Sequence, residues 1–150
     1  MVVRVQAEDF DVGAELAALG RDRPAIGAMT SFVGMVRDSG GDDPLVALVL
    51  EHYPGMTERQ LEAIEAEARR RWPLDQVLVI HRHGRLCPGD RIVLVATTSA
   101  HRDAAFDSCR FLIDWLKTQA PFWKQEVTTT GSRWVEAKSS DDDAAARWSL

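Results

Sequence analysis

Apolar and polar residues along this chain of 150 residues fall into short runs whose period switches between that of a helix and that of a strand. Residues 8–20 (EDFDVGAELAALG) predict a short helix that Gly20 stops. Residues 25–36 (AIGAMTSFVGMV) alternate loosely. Gly27 and Gly34 within them predict a strand with a close backbone approach or a bulge. Residues 38–44 (DSGGDDP) predict a turn or mobile loop, and 45–53 a further strand that Pro54-Gly55 breaks. Thr57, with Gln60 three residues on, predicts a capped helix start. Leu61, Ile64, Ala68 and Trp72 then share one helical face until Pro73 ends the run. Strands are predicted at 76–83 and 91–98, with a tight turn at 86–90 (LCPGD) between them. Ser99 is expected to cap a helix reaching about Lys117, striped by Ala105, Cys109, Leu112 and Leu116 and stopped by Gln119-Ala120-Pro121. Residues 123–128 and 133–137 predict two strands joined by a turn at Thr130-Gly131.

Strand pairs with short turns, and helices inserted between them, predict an α+β fold. The length suits one domain, expected over residues 1–138. An acidic tail at 139–150 (SSDDDAAARWSL) is expected to be mobile, frayed or weakly helical. Apolar residues, at 45%, are sufficient for a core. No run approaches the roughly 18–20 apolar residues of a membrane helix, so no membrane partner is expected. The opening MVVRVQAEDFDVG has no basic segment leading into an apolar block, so no signal peptide is expected. Cys87 and Cys109 are too few for a disulfide scaffold, which makes the cytoplasm the expected compartment. A net charge of −5 argues against nucleic acid as a partner. The acidic excess lies in the first half of the chain. An anionic ligand is therefore expected to meet mainly the second half, with selected arginines from the first.

Candidate chemistry begins with an imbalance: 15 arginines stand beside only three lysines, Lys117, Lys124 and Lys138, all close together. Codon preference accounts for most of it, but a desolvated lysine can release its proton and arginine effectively cannot. Lys117 and Lys124 flank the aromatic turn Ala120-Pro121-Phe122-Trp123. Its rings are expected to desolvate a neighbouring ammonium and to form a narrow gate; snorkelling lysines around a buried aromatic pair is the plainer alternative. In Thr97-Thr98-Ser99-Ala100-His101-Arg102 a strand end meets a helix N-terminus, a place for an anion or simply a capped helix. A third candidate is the strand end Phe32 to Arg37 beside its loop. His81 and His83 share a strand face near Cys87, yet no fourth ligand and no CxxC pair accompanies them, so no metal is expected. GxSxG, GxGxxG and GxxxxGK[ST] are absent. Cys109 reads as a core residue, and neither cysteine has neighbours that would activate a thiol, so sulfur chemistry would draw its sulfur from outside.

The blocks FVGMVRD, LEHYPGMTE, RWPL, IHRHG, PGD, TSAHR, LKTQAPFWK and RWVEA, in this order, resemble the large, catalytic subunits of molybdopterin synthase, the MoaE family. The resemblance covers residues 10–137, and EHYPGM, SAHR and LK-x-x-APFWK are specific in combination. It implies an α/β-hammerhead fold, a mainly antiparallel sheet with packed helices. It implies a homodimer at the centre of a heterotetramer, with a small ubiquitin-like sulfur-carrier subunit at each end. That partner ends in Gly-Gly bearing a thiocarboxylate, and its tail delivers sulfur to cyclic pyranopterin monophosphate. Two transfers build the dithiolene of molybdopterin in molybdenum cofactor biosynthesis, and no cofactor is required.

The resemblance also implies the site. Lys117 and Lys124 are the catalytic residues, and they bind substrate together with Met35, Val36, Arg37, His101, Arg102, Gln125, Glu126 and Lys138. Met35 stands where some members have lysine, and Lys138 where some have arginine. The arginines suit bidentate contact with a cyclic phosphate. Lys117 is assigned proton transfer or attack as an amine, and Lys124 the holding of thiocarboxylate or phosphate. His101 and Lys117 lie at opposite ends of one helix, about 24 Å apart at 1.5 Å per residue, so each site is expected to draw on two subunits. The rival reading is a non-catalytic dimeric scaffold that captures a ubiquitin-like tail, which turnover would distinguish.

Overall fold

Val77, Leu78, Val79 and Ile80 are consecutive and all buried, which a strand achieves only when both faces of its sheet are covered. The computed structural model describes residues 2–38, 40–119, 122–135 and 139–148 and shows what covers them. In chain order the elements are β1 (Val2–Gln6), α1 (Val12–Gly20), β2 (Ala28–Met35), β3 (Leu45–His52), α2 (Met56–Arg71) and β4 (Val77–Arg82). Then follow β5 (Gly84–Leu86), β6 (Arg91–Ser99), α3 (Arg102–Thr118), β7 (Phe122–Thr128), β8 (Ser132–Trp134) and α4 (Ser139–Ala146). One sheet runs β1-β4-β6-β2, with β1 parallel to β4 and the other pairs antiparallel. Val77, Val79, Val93 and Val95 face α2 and α3, meeting Leu61, Ala68, Cys109 and Leu112. The alternate residues Leu78, Ile80, Leu94 and Ala96 bury against Phe10 and Leu19 on the side of α1.

The second sheet, β5-β3-β7-β8, is antiparallel throughout. Val36, Leu50 and Leu86, with Ile92 packed on them, tie it to the end of the first sheet. The α+β architecture expected from the sequence is therefore the one observed. Among the described residues no helix is long and apolar enough to cross a membrane.

Several local expectations need correction. Ser99 does not cap α3. It is the last, buried residue of β6, and its hydroxyl donates to the Pro73 carbonyl at 2.7 Å. The cap is His101, in extended conformation with no side-chain cap bond. The α2 cap is Gly55 rather than Thr57 with Gln60: a φ of +84° admits glycine, and the Glu58 carboxylate accepts the Gly55 N–H at 2.5 Å. Thr57 is buried, with its hydroxyl accepting the Tyr53 N–H at 2.9 Å. The first helix starts later than residue 8, at Val12, where the Asp11 carboxylate accepts the Ala14 N–H. β1 lacked any turn or cap signal; Val3 and Val5 packing on the α2–α3 side are its trace.

Gly27 and Gly34 behave as their surroundings require. A Cβ on Gly27 would lie 2.1 Å from the Ala100 carbonyl oxygen, and one on Gly34 would lie 2.8 Å from Val93 Cγ1. The β2–β6 register slips between Gly34 and Met35. In the 139–150 segment, α4 is followed by Trp148, which sits edge-on to Trp72 and Phe111, each at 5.6 Å between ring centroids. Its indole N–H donates to Asp114 at 2.6 Å.

Candidate active site

A cavity of about 30 Å³ lies where the two sheets meet the C-terminal end of α3. Lys117 and Lys124 both line it, with His81, Phe32, Gly34 and Leu50 among its walls. Each arrives for a local reason. The apolar stripe of α3 buries Cys109, Leu112 and Leu116 on the sheet, which leaves Lys117 in the last turn at the edge of the core. The helix C-terminus there favours a cation. On β7 successive side chains alternate, so Phe122 and Lys124 share the inner face, opposite His52 and Leu50 of β3. Lys117 is exposed and Lys124 half-buried.

His81 continues the parity of Val77 and Val79 on β4 and is only 6% exposed. Its ring stacks on Phe122, at 3.8 Å between centroids and 17° between planes, and its Nδ1 lies 2.8 Å from the Arg82 carbonyl oxygen. Burial pushes its pKa down to about 3, with the positive charges of Lys124 and Lys117 acting in the same direction. The ring is neutral at physiological pH. His83 instead meets His52, at 4.1 Å between centroids. Among the described residues no three histidine, cysteine or acidic side chains gather as a metal site. Cys87 is exposed, while burial pushes the Cys109 thiol up to about 12, leaving no thiolate there at neutral pH.

Phe122 and Trp123 do not form a joint gate. They point to opposite faces of β7: Phe122 inward onto His81, Trp123 outward between Tyr53 and Trp134, at 6.4 and 6.1 Å. The Trp123 indole N–H donates to the Tyr53 hydroxyl. Gln125 shares the outward face and donates to Ser132 at 3.1 Å. Glu126 lies on the face of Lys124 but is held by Arg133 at 2.7 Å. Met35 is exposed, Val36 is buried in the junction cluster, and Arg37 is exposed just beyond β2, whose Phe32 and Gly34 reach the cavity. His101 and Arg102 are exposed at the far end of α3 from Lys117. Lys138 and the Ala120-Pro121 turn lie outside the described residues. One chain thus gathers the two lysines and a strand leading to Arg37, and leaves His101 and Arg102 a helix length away.

Comparison with known proteins sets this geometry in a family. The family model described as "MoaE protein" matches residues 5–119. A "Molybdopterin synthase catalytic subunit" from Mesorhizobium japonicum is 56% identical over 148 residues, covering 97% of this chain and 92% of the relative. The chain belongs to the MoaE family. A solved structure of a molybdopterin biosynthesis MoaE protein from Burkholderia ambifaria superposes with a TM-score of 0.83 at 57% identity, covering 98% of this chain and 97% of that one. A more distant match shows that the MoaE fold persists at 21% identity. It is described as a protein–protein complex of subunits 1 and 2 of molybdopterin-converting factor from Helicobacter pylori, and its TM-score is 0.71 over 91% of this chain and 90% of that one.

Both lysines stand out in the sequence by residue type. His81 reads there only as a candidate metal ligand; the signal that could have placed it is its parity with Val77 and Val79 on a strand otherwise wholly apolar on that face. In this MoaE chain the cavity joins two lysine side chains and a neutral imidazole within a largely apolar wall. About 30 Å³ is close to the share of a single water in the liquid. Neither a fused ring system nor the end of a peptide chain fits inside it; either would have to lie at its mouth.

Proposed function

We propose that this chain is the catalytic subunit of a molybdopterin synthase. In this reading it transfers sulfur from the C-terminal thiocarboxylate of a small ubiquitin-like subunit to cyclic pyranopterin monophosphate, twice, to form the dithiolene. The observation that carries the reading is the convergence of Lys117 and Lys124, from the end of α3 and the middle of β7, on one narrow cavity. The name of the relative at 56% identity over nearly the full chain supports it. A Gly-Gly tail has no side chains to obstruct its approach, so its terminal thiocarboxylate can come to the cavity mouth, where Lys117 is exposed. Lys124 holds the anionic group and Lys117 moves the proton or attacks as an amine. Arg37, together with His101 and Arg102 of a second copy, holds the phosphate at the mouth. Met35, Val36, Gln125, Glu126 and Lys138 complete the substrate contacts. The homodimer carries one small subunit at each end, and the reaction takes place in the cytoplasm, where the exposed Cys87 stays reduced.

Lys117→Arg tests this reading. Arginine keeps the charge but gives up neither a proton nor an amine. Dithiolene formation in a single turnover with thiocarboxylated partner is expected to fall almost as far with Lys117→Arg as with Lys117→Ala. Near-normal turnover by the arginine variant would remove Lys117 from proton transfer and from nucleophilic attack.

A further inference from the structure

One buried titratable side chain in the cavity has no part in the chemistry above. His81 occupies a position where the strand pattern calls for valine, and burying an imidazole there is unfavourable unless its nitrogens are hydrogen-bonded. We infer that His81 is a positioning residue for Lys124: its imidazole Nε2 accepts a hydrogen bond from the lysine Nζ and fixes the ammonium at the cavity floor. A carbonyl oxygen only accepts, so the contact with the Arg82 carbonyl puts the ring proton on Nδ1 and leaves the Nε2 lone pair available. The ring stays neutral because burial and two nearby cations oppose its protonation.

The charged and titratable groups acting on it are Lys124 from β7, Lys117 from α3 and His83 beyond β4. His83 is engaged with the His52 ring. Lys124 is the better placed of the two lysines. Phe122, lying flat on His81, is two residues from Lys124 on the same face of β7, about 7 Å along the strand. His81 and Lys124 line the same cavity, and Lys124 is the first of the charges that act on the ring. A neutral acceptor lets the cavity hold Lys124 charged without adding a carboxylate that would repel an incoming thiocarboxylate.

The inference rests on Lys124 as the anion-holding lysine, and two variants separate positioning from mere packing. His81→Phe keeps the aromatic stack and loses the acceptor; His81→Gln loses the stack and keeps an acceptor near the Nε2 position. Positioning predicts a single-turnover rate lowered roughly tenfold to a hundredfold in His81→Phe, the loss of one hydrogen bond to a charged group. His81→Gln is expected to stay within a few-fold of the parent. Packing predicts the opposite order, which would overturn the inference. A second measurement needs no folded variant of His81. In ¹⁵N spectra of the parent chain, Nε2 of His81 should resonate as a hydrogen-bonded imine nitrogen from pH 5 to 9, and should shift in Lys124→Gln. An Nε2 signal unchanged in Lys124→Gln overturns the contact. Normal turnover by Lys124→Gln, in contrast, overturns the site reading itself.

Discussion

At the scale of single residues, the cavity is defined by side chains whose surroundings contradict their ordinary preferences. His81 shows the consequence for stability. Its folded pKa of about 3 lies below the roughly 6.5 of an unfolded histidine, so between those values the unfolded chain binds a proton that the folded chain does not. Stability contributed by the neutral ring is present above about pH 6.5 and is lost as pH falls toward 3. Replacing His81 with glutamine removes this dependence. Between pH 6.5 and 5, above the range of most carboxylates, the slope of unfolding free energy against pH is expected to flatten by up to about one proton. Urea titrations across that interval measure it; an unaltered slope would show that His81 does not stay neutral in the folded chain.

At the scale of elements, the close contact of Gly27, just before β2, with the turn before α3 sets where His101 begins its helix. The Gly27 N–H donates to the Ser99 carbonyl at 3.0 Å, and a Cβ on Gly27 would stand 2.1 Å from the Ala100 carbonyl oxygen. Backbone atoms cannot yield as a side-chain tip can. Gly27→Ala is expected to destabilise the chain by roughly 1–3 kcal/mol, the range for overpacking, and to lower turnover by shifting His101 and Arg102. Thermal unfolding with a parallel activity assay checks both; an unchanged melting temperature would show that β2 yields freely there. Gly27 and Gly34 were both legible in the sequence, because a glycine inside an alternating run marks a close backbone approach or a bulge. So were the strands of the hairpins and the stripe of α3, whose apolar periods are long enough to be unambiguous. Ser99 is misread because a serine before a helix looks the same whether its hydroxyl caps the helix or, as here, reaches back to Pro73. The pairing of β1 with β4 across more than seventy residues leaves no local mark at all. Lys117 and Lys124 were recognisable by residue type. That Phe122 turns inward and Trp123 outward depends on the β3–β7 register, which tertiary packing decides.

For the whole molecule, a cavity this narrow constrains the partner. If the tail must come to the cavity mouth to reach Lys124, a small subunit shortened by its last two residues still docks through its globular surface but transfers no sulfur. Calorimetry and turnover on the same preparation separate the two, and sulfur transfer from the shortened partner would exclude a threaded tail. The second constraint is the length of α3. His101 and Arg102 begin it and Lys117 lies in its last turn, about 24 Å away along an unbroken helix without internal glycine or proline. A pterin phosphate cannot span that distance, and the cavity beside Lys117 holds no room for the whole substrate. If both ends of α3 serve the substrate, they come from different chains. A two-fold axis that sets the start of one α3 beside the end of its mate creates two equivalent pockets. Mixing a chain carrying His101→Ala and Arg102→Ala with a chain carrying Lys117→Ala, each inactive alone, tests this. In a mixed dimer one pocket combines both lesions and the other is intact, so activity is expected to return to about half that of the parent per mixed dimer. Native mass spectrometry must confirm that the subunits have exchanged. Exchange without any return of activity would place the pocket within one chain and deny His101 and Arg102 a role across the dimer axis.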